Sequence, residues 1–310
     1  MYQEQRTVFY YCISPVHMGA DTTVGAIDNP VQREVHTGHP CFNGSGIKGA
    51  VRHRFTGAWT EDDLYGVFGP DPESTNSEFA GAVSFTDAQL AAFPVRTLKQ
   101  TFAYATCPTA LARLQRTAGS GAAWAVPNVE GDMFLGRAGD RLTIDNKLVL
   151  EAFEFDRMPG NALIDRIADW IAANALPAGP EYDYFRNKLS QDLVVLSDAR
   201  FLHFAQYSTI VEPHVRIDNK SGTADDGGLF YTENVPPESL LVGRVLAKAE
   251  CRGADGKGTP PRAAAAILNL LLSGPENNEG IEGKTVQLGG DATTGRGFVT
   301  IQTQPYTEGR

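Results

Sequence analysis

The chain has 310 residues, 42% of them hydrophobic and 21% charged, with a formal net charge of -10, which is the composition of a folded globular protein with a sizeable core. No apolar run approaches the roughly 20 residues needed to span a bilayer, and four scattered cysteines without a C-x-x-C pair argue against a zinc knuckle or a disulfide framework. The N-terminal MYQEQRTVFYYCIS carries no charged stretch followed by a helical apolar one, so the expected location is the reducing cytoplasm.

Along the chain, Thr7 to Ser14 alternates as a strand with apolar residues on both faces, which predicts a central position in a sheet. Pro15 to Pro40 is rich in glycine, proline and histidine without periodicity and reads as a long ordered loop, a kind of segment that usually carries function. From Ile47 the pattern is helical: Ile47, Val51 and Phe55 form a packing stripe, with Lys48 and Arg52 as a basic stripe one position over. Strands are expected at Ala82 to Thr86 and Thr101 to Ala105, a helix at Pro108 to Arg116, and a hairpin over Arg141 to Phe155 turning at Asp145-Asn146. Helices follow at Ala162 to Leu176 and Pro261 to Leu272, and strands at Thr285 to Leu288 and Phe298 to Gln302. This α+β order is that of a split βαβ unit, within a single elaborated domain over residues 1–310 carrying insertions near 108–160.

Positive net charge usually drives nucleic-acid binding, so an acidic chain needs a locally basic face to do it. The acid is concentrated at Glu61 to Asp63, Asp71 to Glu78 and Asp225 to Glu238. Gly44-Ser45-Gly46-Ile47-Lys48-Gly49 matches G-x-G-x-x-G, but no apolar strand of dinucleotide-binding length precedes it. What remains is either an anion seat at a helix start beside Lys48 and Arg52 or a solvated basic face. In Gly289-Gly290-Asp291-Ala292-Thr293-Thr294-Gly295-Arg296-Gly297 the glycine spacing of a nucleotide loop ends in Arg296-Gly297 instead of Lys-Ser/Thr, which argues against nucleotide hydrolysis. The loop is either a flexible hairpin or a close approach to a phosphodiester, with Thr293, Thr294 and Arg296 as donors. Asp28, in Ile27-Asp28-Asn29-Pro30, is by itself more typical of a turn than of a catalyst. His17, His36 and His39 fit no zinc spacing, and no G-x-S-x-G elbow or H-E-x-x-H helix is present.

Taken in order, His17, the run Gly25 to Glu34, His36-Thr37-Gly38, Gly44 to Gly49, Gly81 to Phe85, Phe93 to Arg96, Pro236-Pro237-Glu238-Ser239 and the final glycine loop form a set. From about Tyr10 to Thr300 the chain resembles the backbone nuclease subunits of the type III-B CRISPR effector, the Cmr complex, in the repeat-associated mysterious protein (RAMP) superfamily. The resemblance implies a ferredoxin-like (RRM-like) core with a glycine-rich loop, and copies stacked helically with other Cmr subunits along a guide RNA. It also implies a thumb hairpin that interrupts the guide–target duplex, expected near 213–230. Cleavage of target RNA at each copy, with a divalent metal, Mg2+, and a first-loop aspartate, is implied as well. Asp28 matches that aspartate, with His17 and Glu238 as candidate helpers. Ser45, Lys48, Arg52, Arg216, Gly289, Gly290, Thr293, Thr294, Gly295 and Arg296 match the RNA-binding set, although Gly46 stands where a second serine is common. Two competing readings are a filament subunit that binds guide RNA without cutting, and a guide-processing endoribonuclease of the same superfamily.

Overall fold

In the computed structural model, residues 2–20, 26–71, 79–139, 141–159, 162–251, 260–276 and 278–308 are described. Gly25 and the acidic stretch 72–78 lie outside them. The chain runs β1 (Glu4–Cys12), β2 (Cys41–Phe42), α1 (Gly44–Phe55), α2 (Glu61–Phe68), β3 (Val83–Phe85), β4 (Ala88–Arg96), β5 (Phe102–Thr106) and α3 (Pro108–Ala118). Then come β6 (Met133–Gly136), β7 (Thr143–Ile144), β8 (Lys147–Leu150), β9 (Phe153–Arg157), α4 (Ala162–Ala175), α5 (Asp183–Asp192), β10 (Leu193–Leu196) and α6 (Asp198–Tyr207). The last elements are β11 (Ile210–Ile217), β12 (Ala224–Asn234), β13 (Leu240–Ala247), α7 (Ala264–Ser273), β14 (Thr285–Gln287) and β15 (Phe298–Pro305).

The result is a mixed α/β fold around one large sheet in the order β14-β15-β1-β13-β4-β5-β10-β6-β9-β8-β7, with β2 on β4 and β3 on β13. Only the β5–β10 and β6–β9 pairs are parallel. Alternation in β1 explains why it is central: Val8, Tyr10 and Cys12 enter one core cluster with Ile47, Val51 and Phe55 of α1 and Ile267 and Leu271 of α7. Phe9 and Tyr11 enter a second cluster with Leu111 and Leu114 of α3, Ile164, Ile167 and Ile171 of α4, and Leu189 of α5. Each such fully buried side chain stabilises by about 1.5–3 kcal/mol, so a helical layer covers either face and neither is left to solvent.

Local chemistry sets the ends. Thr60 accepts the Asp63 N–H at 3.2 Å and three acids occupy the first turn of α2, where negative charge meets the positive end of the helix dipole. Cys107 caps α3, Pro108 opens it, and Gly119 follows it with φ of 69°. The β7–β8 hairpin turns at Asp145 and Asn146, as expected, both with positive φ.

Helix α1 begins at Gly44, three residues before its apolar stripe, and Gly44 is pressed against the Phe85 carbonyl, where a Cβ would lie 2.1 Å away. Sequence periodicity missed α2, α5, α6, the fully buried β10 and the largely buried β13. Outside the large sheet stands a second, two-stranded one, the β11–β12 hairpin. Its pairs Pro213↔Tyr231 and Val215↔Leu229 put exposed apolar side chains on one face.

Candidate functional site

The long loop after β1 is tied to β12 rather than left free. Val16 and Val235 exchange backbone hydrogen bonds of 2.9 Å. Asn29 N–H donates to the Tyr231 carbonyl at 3.0 Å and Glu233 N–H to the Asn29 carbonyl at 2.9 Å. The Tyr231 N–H donates to Asp28 Oδ2 at 2.8 Å, so the exposed Asp28 carboxylate ends a short parallel bridge on the edge of β12 opposite β11. Pro213, which has no N–H to pair, is the residue across the hairpin from Tyr231.

Two residues further along that edge, His17 Nδ1 lies 2.7 Å from the Glu233 carbonyl. A carbonyl only accepts, so Nδ1 carries the proton and Nε2 of a neutral ring is left as an acceptor. Asp28 and His17 therefore lie along the same edge of β12.

The buried Glu233 carboxylate fixes the arrangement. It receives the Arg33 guanidinium at 2.5 Å, the Thr209 hydroxyl at 2.7 Å and the Val31 N–H at 3.0 Å. Arg33 also donates to the Gly38 and Ala205 carbonyls, both at 2.9 Å.

The glycine loop and α1 close on either side of His17 and Met18. Gly290 N–H donates to the His17 carbonyl and Gly297 N–H to the Pro15 carbonyl, at 2.9 and 2.8 Å. Gly289 takes φ of 80°, and a Cβ there would lie 2.2 Å from the His17 carbonyl oxygen, so glycine is required twice over. A Cβ on Gly46 would lie 2.8 Å from the Met18 methyl, the end of a flexible side chain that can shift to admit one. Ser45, Thr293, Thr294 and Gly295 are exposed.

The expected basic track is rearranged. Lys48 donates to the Val83 carbonyl at 3.0 Å and is half-buried, with desolvation and the neighbouring Arg52 and Lys248 lowering its pKa. Arg52 pairs with Asp71 at 2.7 Å and donates to the Gly69 carbonyl. Arg296 pairs with Glu212 of β11 at 2.5 Å. Lys48, Arg52 and Arg296 thus already have protein partners, and Gly44 N–H at the start of α1 is taken by Asp87 at 2.8 Å. Arg216 is exposed on β11 beside Gly228.

Glu238 is not part of the His17–Asp28 edge: its N–H bonds to the Cys12 carbonyl at 2.7 Å, beyond the Val16–Val235 bridge. Its φ is 69°, its Oε2 has no hydrogen-bond partner, and burial pushes its carboxyl up to about 7. His36 is likewise drawn away, 2.7 Å from Arg113, which is paired with Glu34. Burial depresses His39 to about 4. Among the described residues, no three His, Cys, Asp or Glu side chains cluster to hold a metal, and no helix is long and apolar enough to cross a membrane.

The RAMP superfamily profile matches residues 9–300, which takes in the loop, α1, the hairpin and the glycine turn. The chain belongs to the RAMP superfamily. It is 29% identical over 305 residues to the CRISPR system Cmr endoribonuclease Cmr4 of Pyrococcus furiosus, covering 96% of this chain and 95% of that protein. The CRISPR system CMR subunit Cmr4 of Saccharolobus solfataricus is 23% identical over 95% of this chain and 94% of its own length. Among solved structures, oligomeric Cmr4 from Pyrococcus furiosus superposes with a TM-score of 0.72 at 24% identity, covering 99% of this chain and all of that one. A chain of the type III-B Cmr-beta complex bound to cognate target RNA superposes with a TM-score of 0.69 at 22% identity, covering 97% and 98%.

Within this RAMP fold, sequence reasoning missed Glu233, Arg33, Thr209 and Tyr231. One signal was available: Glu233 lies in the β-patterned Leu229-Phe230-Tyr231-Thr232-Glu233 just before Val235-Pro236, and a carboxylate in such a strand needs a partner if it is buried.

Proposed function

We propose that this chain is the repeating backbone subunit of a type III-B CRISPR ribonucleoprotein, which holds guide RNA and cleaves complementary target RNA at regular intervals. The observation that carries this reading is the Asp28 carboxylate, seated by the Tyr231 N–H on the edge of an exposed apolar hairpin. Such an edge sets a catalytic carboxylate beside a surface suited to unstacked bases. Support also comes from the similarity to a Cmr endoribonuclease over nearly the whole chain.

The order β15-β1-β13-β4, fully antiparallel, with α1 and α7 between strands, supports a ferredoxin-like core from which β11 and β12 project as the thumb. On this reading the segment from α3 to α5 is an insertion. Guide phosphates meet the glycine loop, Ser45 at the start of α1, the exposed Arg216 and, after exchange of their protein partners, Lys48, Arg52 and Arg296. The other partners are target RNA, further copies in a helical stack and other Cmr subunits, in the cytoplasm.

Cleavage follows from positioning. A nucleotide splayed over the hairpin aligns its 2′-hydroxyl with the adjacent phosphate, and in-line geometry supplies much of the rate. Asp28 offers one carboxylate, which fits Mg2+, a cation commonly held by one or two carboxylates with substrate phosphates and waters completing the shell. Held there, a divalent metal would supply positive charge against the transition state of the transfer. A metal-free variant is favoured by one observation, the acceptor Nε2 of His17, which is suited to take the 2′-hydroxyl proton.

The test is Asp28→Asn in the reconstituted complex. Assembly and RNA affinity stay near wild type while single-turnover target cleavage falls by about 100-fold or more, and EDTA produces the same loss. Cleavage at the wild-type rate removes Asp28 from the chemistry, whereas no cleavage by the wild-type complex leaves the non-cutting filament reading. Full activity in EDTA selects the His17 route.

A further inference from the structure

The geometry points to Tyr231 as a positioning residue for cleavage: its ring stacks on the nucleobase next to the scissile phosphate and holds that nucleotide splayed beside Asp28. This deepens the proposed function and rests on it.

The hairpin face is apolar although it faces solvent. Val211 is 44% exposed, Val215 46%, Leu229 55% and Tyr231 37%, and the register places Tyr231 opposite Pro213 and Leu229 opposite Val215. Alternation puts these side chains together on one face, with Glu212, His214 and Phe230 on the other. There the His214 and Phe230 rings stack on each other with centroids 5.2 Å apart, so the second face is self-satisfied. Val211, Pro213, Val215, Leu229 and Tyr231 form a contiguous apolar strip, which in a soluble protein marks a surface that is covered in use.

What covers the strip is indicated by what adjoins it. Tyr231 is the only aromatic residue on that face, and its own N–H holds Asp28 Oδ2 while its carbonyl accepts from Asn29. Asp28 therefore sits one strand spacing, about 5 Å, from the Tyr231 backbone. An RNA phosphate at Asp28 brings the base of the same or the adjoining nucleotide over the phenol ring. An aromatic ring is a platform for an unstacked base of any sequence, as a cut made at regular intervals in any target requires. Because Asp28 is held by the backbone N–H, changing the side chain removes the platform and leaves the carboxylate seated.

The experiment uses the reconstituted complex with Tyr231→Ala and Tyr231→Phe, and a target RNA carrying 2-aminopurine beside the scissile phosphate. Tyr231→Ala lowers single-turnover cleavage by about 5- to 100-fold, the range set by loss of one base–aromatic stack. Target affinity changes little, because pairing with the guide supplies it. The ring quenches 2-aminopurine fluorescence in wild type, the alanine variant relieves the quenching, and Tyr231→Phe restores both cleavage and quenching. Unchanged cleavage and quenching in Tyr231→Ala overturn the inference, as does a phenylalanine variant as slow as alanine, since the hydroxyl would then be the active part. If Asp28→Asn abolishes cleavage while Tyr231→Ala does not affect it, only this inference fails; if Asp28→Asn also cuts normally, the assignment of the cut to Asp28 fails with it.

Discussion

Glu233→Ala tests whether one buried carboxylate holds the Asp28–His17 edge together. Glu233 is 2% exposed and accepts from Arg33, Thr209 and Val31. Truncation leaves a buried N–H and hydroxyl without an acceptor and a guanidinium without its counter-ion. Breaking a buried pair by removing one partner costs about 3–5 kcal/mol. The lower figure applies here, because the Arg33 side chain is 22% exposed and keeps the Gly38 and Ala205 carbonyls. For a chain of this size about 3 kcal/mol lowers the melting temperature by roughly 5 °C. The decisive readout is local, because Glu233 also places Asn29 and Val31 on either side of Pro30. Proteolysis within residues 15–40 should accelerate, and target cleavage should fall although no substrate-contacting group has changed. Arg33→Met combined with Glu233→Leu should recover part of the melting temperature by removing both charges. A Glu233→Ala protein that melts within 1 °C of wild type and cleaves normally would refute the reasoning.

Glu238 gives a pH dependence. Its folded carboxyl keeps its proton up to about 7 while its ordinary value is 4.5, so the folded state binds more protons in that window and stability falls as pH rises through it. Glu238→Gln should remove this slope, gaining about 3 kcal/mol over wild type at pH 8 relative to pH 4, as read by denaturant unfolding at both pH values. An equal difference at the two pH values contradicts the assignment. His39, depressed from 6.5 to about 4, contributes the opposite slope, so the comparison must be between variant and wild type at each pH.

The parts of the fold legible in the sequence were those whose pattern is local. The two-sided alternation of β1, the Ile47, Val51 and Phe55 stripe of α1, and the Asp145-Asn146 turn each depend on neighbours within a few residues. Strand β10 was not legible, because Leu193 to Leu196 is four apolar residues buried on both sides, and such a short run has no period to read. The site divided along the same line. Asp28, His17 and the glycine loop were found through their joint resemblance to a family, since each alone is an ordinary turn or loop feature. Glu233 and Tyr231 matter through partners 200 residues away, at Arg33 and Asp28, and no spacing rule reaches across that separation.

The remaining question is how a chain of net charge -10 holds a polyanion when its expected phosphate contacts are already paired. The Arg296–Glu212 bridge, at 2.6 and 2.5 Å to the two carboxylate oxygens, links the glycine loop to the base of the hairpin. Both side chains are partly exposed, and such a pair contributes about 1 kcal/mol or less. A phosphate arriving at the glycine loop therefore displaces Glu212 at small cost. On the proposed reading, tight binding rests on the array of copies, where effective concentration multiplies weak contacts. Arg296→Ala should weaken RNA binding and reduce the dependence of log affinity on log salt by close to one phosphate contact, about 0.7–0.9. Glu212→Gln should tighten binding by up to about 5-fold with the salt slope unchanged, since the same contact forms without a pair to break. If Arg296→Ala leaves both affinity and slope at wild-type values, Arg296 remains with Glu212 in the complex. The glycine loop then meets RNA through its backbone N–H groups alone, and the exchange does not occur.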